Sequence, residues 1–372
     1  VWDTDRHQGQ LAVVALEAKY LPYHTWPYMG LPNQGSFSAV KLLGYIDLPM
    51  SSPDGLAAAS NGLWTGPSST DNKVLSQINL ADDAMRQLVA SGKWQGIVAK
   101  GGYAIISASN ENKVGIVDVR RLFSYMRDSY LASATAFAGT LAARGAGDTD
   151  FPQTFAVRPA IVPKVVWRGA FSHPSAVLAG HKVDRWSGDR YKAYVATRDG
   201  TLHILDTSSL MARLSTDVRG DLKEIGAMSV GRNPVSLAFM RHAESNLPLL
   251  PVDSSGVQRS PDPLNNLLYV ACRGDREIDG VVTWQGQGQV IRRIRDSRLD
   301  DPVAVSVAVR GNIVSVADFA GRKIVSFRIG TLHDTRNNRV YPPDGEGPYD
   351  FAFAGELSLP GSPFLVNSTN LN

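Results

Sequence analysis

Residues 233–329 hold two successive copies of one pattern: a proline, an apolar strand, a loop, a second apolar strand, a charged turn and a third strand. The first copy reads Pro234-Val-Ser-Leu-Ala-Phe, then Leu268-Tyr-Val-Ala-Cys-Arg-Gly-Asp, then Val281-Val-Thr-Trp. The second reads Pro302-Val-Ala-Val-Ser-Val, then Ile313-Val-Ser-Val-Ala-Asp, then Lys323-Ile-Val-Ser-Phe. Short β-branched and aromatic runs bounded by Gly, Asn and Asp are strand signals. Their recurrence at a period of about 40–50 residues marks a propeller or another repeat fold, each copy being one blade.

Extended along the chain, the pattern places six innermost strands, beginning near Gly55, Gly96, Pro174, Pro234, Pro302 and Pro363. Second strands are expected at Leu63, Tyr103, Ala193, Leu268 and Ile313, and third strands at Lys73, Val114, Leu202, Val281 and Lys323. The fold expected is all-β: one β-propeller domain over residues 1–372, with six four-stranded blades. A seventh blade is the alternative, built in the span from Val114 to His203 from Thr154-Phe-Ala-Val and Val165-Val-Trp. The chain stops at an innermost strand, Pro363-Phe-Leu-Val-Asn, and starts with a second and third strand, Val1-Trp-Asp and Gln10-Leu-Ala-Val-Val-Ala-Leu. The C-terminal strand is therefore expected to complete the N-terminal blade, so that no sheet edge stays open. The alternative is that both ends are boundaries inside a longer chain.

Two insertions break the period. Residues 20–36 are rich in proline and aromatic side chains, among them Tyr23, Trp26, Tyr28 and Met29. Residues 120–150 begin as an amphipathic helix, with Leu122, Phe123, Met126, Tyr130 and Leu131 along one face, and continue as an Ala/Gly-rich tail from Ala136 to Gly147.

The formal net charge of +3 on 372 residues argues against a dedicated nucleic-acid binder. Arg292, Arg293, Arg295 and Arg298 read as the solvated face of an outer strand. The single cysteine, Cys272, lies within an expected strand and excludes an intrachain disulfide and any Cys-based metal or haem motif. The sequence begins at Val1 without Met, signal peptide or transmembrane run, as expected if a leader has been removed or if this is a piece of a longer chain. Low cysteine content, with abundant Trp, Gly and Pro, suits a bacterial periplasmic or extracellular protein.

The segment Ile225-Gly-Ala-Met-Ser-Val-Gly-Arg-Asn-Pro-Val-Ser-Leu-Ala-Phe resembles the blade junction of YVTN-type repeats, found in lactonase-like and YncE-like propellers. Tyr194-Val-Ala-Thr-Arg-Asp-Gly and Tyr269-Val-Ala-Cys-Arg-Gly-Asp resemble the second strand and turn of that family. The resemblance implies a propeller of six to eight blades and no particular activity, because the repeat serves enzymes and binding proteins alike. No residue set matches a lactonase active site position by position. The wide blade spacing and the two insertions depart from the regular repeat.

Aligning the repeats by their first residue brings His181, His242, Arg310 and Asn61 to the ends of innermost strands, at one mouth of a central channel. His181 and His242 on adjacent blades form a candidate transition-metal pair, with His173 or His24 as a third ligand. The bland reading is a polar, solvated strand end. No nucleophile elbow or phosphate-cradling loop is found. Asp3, Asp5, Asp199 and Asp275 fall in turns between second and third strands, where carboxylates cap backbone amides. Tyr23, His24, Trp26, Tyr28 and Met29 are candidates for protein-partner binding, being of the types enriched at interface cores. A lid folded back on its own blade is the other reading. Together these features read as an extracytoplasmic propeller that binds or scaffolds a protein partner through its insertions. The alternative is an enzyme, a lactonase-like hydrolase or metal-dependent redox subunit, with its site at the channel mouth.

Overall fold

A computed structural model describes residues 1–18, 37–62, 79–96, 98–143, 153–180, 189–212, 217–239, 267–308, 313–329 and 351–367. Among these residues the chain forms five antiparallel sheets, each made of consecutive strands in sequence order. The first contains β1 (Trp2–Asp3), β2 (Gln8–Ala18) and β3 (Phe37–Asp47). The second contains β4 (Gly55–Ser60), β5 (Gly102–Ala108), β6 (Lys113–Asp118) and β7 (Lys164–Ala170). The third is β8 (Pro174–Ala179), β9 (Lys192–Thr197), β10 (Thr201–Asp206) and β11 (Lys223–Ser229). The fourth is β12 (Pro234–Phe239), β13 (Leu267–Cys272), β14 (Glu277–Trp284) and β15 (Gln287–Arg295). The fifth is β16 (Pro302–Val307), β17 (Ile313–Asp318), β18 (Lys323–Ile329) and β19 (Phe351–Ser358).

The chain divides into two compact units. One comprises Pro53–Ala59, Ala104–Ile116 and Trp167–Asn372. In it the first strands of successive sheets, β8, β12 and β16, pack side by side, which is the arrangement of propeller blades. The all-β propeller class expected from the repeats is thus met. Second strands β9 and β13 are buried along their whole length, because a sheet lies over each of their faces. That is why they read as unbroken apolar runs, Ala193-Tyr-Val-Ala and Leu267-Leu-Tyr-Val-Ala-Cys, with no alternation. The core between blades is built from these strands. Tyr194, Ala196, Leu202 and Ile204 meet Leu268, Val270 and Val281; Tyr269, Ala271 and Ile278 meet Val305, Val314 and Val316.

Two irregularities repeat from blade to blade. Ladder register shifts just after Pro174, Pro234 and Pro302, where each innermost strand opens on a residue with no N–H to give. The outermost strands β3, β11, β15 and β19 each carry a bulge near mid-length, a device that twists an open edge away from further pairing. The turn from second to third strand also recurs: its last residue is left-handed at His7, Asn112, Arg276 and Arg322, with φ between 51° and 56°. His7 at this place makes β1, β2 and β3 equivalent to the second, third and fourth strands of a blade, as expected for the N-terminus.

The other unit comprises Val1–Ser52, Ser60–Tyr103 and Val117–Val166. It holds the three-stranded sheet and three helices, α1 (Asp83–Ala90), α2 (Arg120–Leu131) and α3 (Ala134–Ala142). Asp82 caps α1 by accepting from Met85 N, and Ser133 caps α3 by accepting from Ala136 N. The apolar face expected on α2 is met in part: Leu131 joins Val89 and Trp94 in a small core, against which Tyr130 packs. The Ala-rich stretch expected as a tail after this helix forms α3 instead, Phe137 meeting Tyr130 at 6.3 Å between ring centroids.

Three strand expectations are corrected. The repeats placed at Gly55 and Gly96 are one blade, since β4 neighbours β5 directly and Gly96 lies in a turn. Residues 61–101 are thus a connection within that blade; the strands expected at Leu63 and Lys73 lie outside the described residues. Of the segments offered for a seventh blade, residues 154–157 form a turn, and Val165-Val-Trp belongs to β7, the fourth strand of this same blade. Pro363-Phe-Leu-Val-Asn enters no strand among the described residues: Phe364 and Leu365 are 75% and 78% exposed, and Phe364 rests on Phe319 with ring centroids 4.8 Å apart.

Candidate functional site

In every sheet, antiparallel geometry sends the connections from first to second and third to fourth strand to one end. The turns from second to third strand and the links between sheets go to the other. The two ends differ sharply. The second-to-third turns span only residues 4–7, 109–112, 198–200, 273–276 and 319–322, and the links only 48–54, 171–173, 230–233 and 296–301. At the opposite end run 19–36, 61–101, 119–163, 180–191, 207–222, 240–266 and 330–350; only 285–286 and 308–312 are short there.

The roots of two of these connections, 180–191 and 207–222, are held by a buried polar network between the third and fourth sheets. Lys192, at the start of β9, and Asp189 are both buried, and Nζ lies 2.5 Å from Asp189 Oδ2. Lys192 Nζ also donates to Thr283 O at 3.3 Å on β14. The other oxygen, Asp189 Oδ1, accepts from Gln285 N at 2.7 Å in the β14–β15 hairpin. Tyr194 OH and Thr283 Oγ1 are 2.5 Å apart. Next to this pair, Asp206 accepts from Arg190 through Oδ2 at 2.6 Å and from Ser208 N through Oδ1 at 2.8 Å. Ser208 begins α4 (Ser208–Met211). Both oxygens of each carboxylate are therefore occupied, so neither aspartate is disposed as a general base. The network ties the start of β9 and the segment after β10 to the β14–β15 hairpin and to one another. Sequence reasoning missed it, although a lysine opening an otherwise apolar strand, three residues after an aspartate, was a visible signal.

Of the residues expected at the channel mouth, only Asn61 is described. It follows β4 at the long-connection end, but it is 1% exposed, and its Oδ1 accepts from Lys100 N and Gly101 N, both at 2.8 Å. Asn61 ties the 61–101 connection shut. His181, His242 and Arg310 lie outside the described residues, as do Tyr23, His24, Trp26, Tyr28 and Met29. His173 is described and is misplaced as a third ligand. It sits in the β7–β8 link with φ 49°, its N donating to Asn112 Oδ1 at 2.7 Å. That puts it about 20 Å, the length of β8, from the strand end that leads to His181. Among the described residues no three His, Cys, Asp or Glu side chains gather as a metal site, and no helix is long and apolar enough to cross a membrane.

The short-turn end carries a second polar cluster. Asp279 on β14 is fully buried; its Oδ2 accepts from Gly231 N at 2.9 Å in the β11–β12 link, while Oδ1 accepts no hydrogen bond among the described residues. Burial, with Glu277 adding repulsion, pushes the Asp279 carboxyl up to about 6, against the pull of Gly231 N–H and Arg293. Burial likewise raises the Cys272 thiol, which leaves it an inert core residue, as its sequence context indicated. Asp275 is held below the usual carboxylate range by the backbone N–H and side chain of Arg232, and Asp199 by the Thr197 hydroxyl. These carboxylates cap turns and links, as does Asp3, which accepts from Asp5 N and Arg6 N.

No family model matches the chain, and no curated protein matches it. Among solved structures it is similar to Sqt1 of Chaetomium thermophilum bound to the N-terminus of ribosomal protein L10, with 11% identity, a TM-score of 0.43 and 96% of this chain covered. It is also similar to the β-propeller domain of Myceliophthora thermophila Cps50 (Swd1), with 11% identity, a TM-score of 0.36 and 72% of this chain covered. The chain spans 59% and 60% of the length of those two chains. Identity at this level transfers no residue role. The bacterial, periplasmic or extracellular placement expected from composition has no support in these comparisons and is withdrawn.

Proposed function

We propose that this propeller is a binding scaffold that recognises a protein partner through the connections emerging at one end of its sheets. One observation carries the reading: connections of a dozen residues or more occur only at that end, while the other end is held to short turns and links. Loops on a rigid scaffold are where recognition concentrates. The paired Lys192–Asp189 and Arg190–Asp206 groups support it, because they fix two of the loop roots and leave neither carboxylate open for chemistry. Within this reading, Tyr23, His24, Trp26, Tyr28 and Met29 on the β2–β3 connection are the foremost contact residues. Likewise, we read the repeats as YVTN-type on the junction Val230-Gly-Arg-Asn-Pro, which forms the link between two blades.

The test is to replace residues 22–29 by a short Gly/Ser linker in the full chain. Co-isolation of a protein with the wild type, lost in the trimmed chain at an unchanged unfolding temperature, is the expected result. Co-isolation unaffected by trimming, with turnover or bound metal abolished by His181→Ala/His242→Ala, would replace the scaffold reading with an enzymatic one.

A further inference from the structure

The short-turn end of the last three sheets forms a continuous arc. Asn233 N donates to Arg198 O, Gly274 N to Arg232 O, and Arg273 N to Asn233 O, joining the β9–β10 turn, the β11–β12 link and the β13–β14 turn. The Arg273 guanidinium then meets Asp301, whose carbonyl accepts from Phe319 N, and Leu359 N closes the run on Arg322 O. Each blade contributes arginine to this arc, and the carboxylates paired with three of these guanidiniums lie deeper than they do, while Asp199 and Asp300 are exposed within the arc. The guanidinium side chains of Arg232, Arg295 and Arg273 are 76%, 67% and 43% exposed. Their carboxylate partners Asp275, Glu277 and Asp301 are only 23%, 1% and 20% exposed. Asp318 is fully buried, its oxygens taken by the N–H groups of Asp300, Asp301 and Gly321.

Arg198, Arg276 and Arg322 extend the same surface. All three are exposed, and none forms an ion pair among the described residues. Arg276 and Arg322 occupy the left-handed position of their turns, with φ 54° and 51°. An arginine there is held in a sparsely populated conformation, whereas the Asn112 found at the same place in another blade accepts it readily. Strain kept at an exposed position calls for a use of the side chain.

We propose that this arc of outward guanidiniums, Arg198, Arg232, Arg273, Arg276, Arg295 and Arg322, is a second interaction surface, which takes an acidic, Asp/Glu-rich segment of a protein partner. Exposed guanidiniums attract carboxylates through their charge. A carboxylate-bearing chain is favoured over nucleic acid because the net charge of +3 supplies little of the long-range field that phosphate binding exploits.

The experiment uses the full chain and a fluorescein-labelled poly-glutamate peptide, with binding read by anisotropy. Arg198→Ala/Arg276→Asn/Arg322→Asn is expected to weaken binding about tenfold, from three pairs of partly exposed charges. Lysine at the same three positions keeps the charge and is expected to retain most of the affinity. Lys164→Ala/Arg168→Ala/Lys223→Ala removes the same charge from outer strands and is expected to change affinity less than twofold. Unaltered binding in the first variant, or equal losses in the first variant and the control, overturns the proposal. Equal losses in the first and lysine variants would make the effect structural, and tighter binding of a single-stranded oligonucleotide than of the peptide would reassign the surface.

Discussion

Asp279→Asn is expected to stabilise the protein above pH 6 and to leave it unchanged near pH 4. The carboxyl is fully buried, has one oxygen without a hydrogen bond among the described residues, and titrates near 6 instead of at its ordinary 3.8. A carboxyl whose pKa is raised on folding binds its proton more tightly in the folded state, so stability falls as pH climbs from about 4 to about 6. Below that window both states are protonated and there is no cost. Above it the folded state carries the whole penalty, about 3 kcal/mol as an upper bound, since each pKa unit corresponds to about 1.4 kcal/mol. Arg293 Nε, 3.6 Å from Oδ1, is half exposed and offsets part of the burial cost. The asparagine keeps an oxygen for Gly231 N but loses the charge assistance of that bond. Because those pulls are already contained in the shift to about 6, the remaining deduction is for solvent screening, and a net gain of about 1–2 kcal/mol at pH 8 is expected. Urea unfolding of both proteins from pH 4 to pH 8 measures it directly: the midpoints should coincide at the acid end and separate in favour of the variant as pH rises. A variant less stable than wild type at pH 8 would refute the reasoning, because it would mean that the ionised carboxylate is a net asset to the link it holds.

The remaining expectations concern the contacts between sheets. A β-carbon at Gly226 on β11 would lie 1.7 Å from Gly286 O in the β14–β15 hairpin, backbone against backbone. Gly226→Ala should therefore cost about 3 kcal/mol, the upper range for overpacking, seen as a lowered unfolding midpoint. Lys192→Met leaves Asp189 charged and buried without its ammonium, and is expected to destabilise by about 3–5 kcal/mol. Adding Asp189→Asn should recover more than half of that loss, and a double variant no better than the single one would show that the ion pair is not what holds this junction.

Much of the blade architecture was legible because the second strands leave an unmistakable trace. Strands such as Leu267–Cys272 are covered on both faces, so their sequence is apolar throughout, and their shortness, β-branched content and flanking turn residues set them apart from a buried helix. Prolines 174, 234 and 302 were equally legible, since each marks the first residue of an innermost strand. The merging of the Gly55 and Gly96 repeats was not. The connection 61–101 is as long as a blade, and Ile97-Val-Ala-Lys copies the composition of an innermost strand; only pairing of β4 with β5 across it tells the two apart. Asn61 was placed correctly at a strand end, but spacing alone does not reveal that two backbone amides occupy its side chain. The Lys192–Asp189 pair was missed for a related reason. Its members are close in sequence, yet the groups that complete the network, Thr283 O and Gln285 N, lie on the next blade.

The contrast between the two ends of the sheets has a physical origin. At the short-turn end each second-to-third turn is hydrogen-bonded to the neighbouring link: Val230 N donates to Gly200 O, Asn233 N to Arg198 O, Arg273 N to Asn233 O and Leu359 N to Arg322 O. Lengthening any one of these turns would break the contacts that join one blade to the next, and the buried amide of Val230 would lose its partner at about 1–3 kcal/mol. The opposite end carries no links between sheets, so a connection there can grow at little more than the slowly rising entropy of loop closure. Insertions therefore accumulate where they leave the blade junctions intact. Recognition at the short-turn end has to rely on long side chains projecting from fixed turns, and the exposed arginines of residues 198–322 answer that requirement.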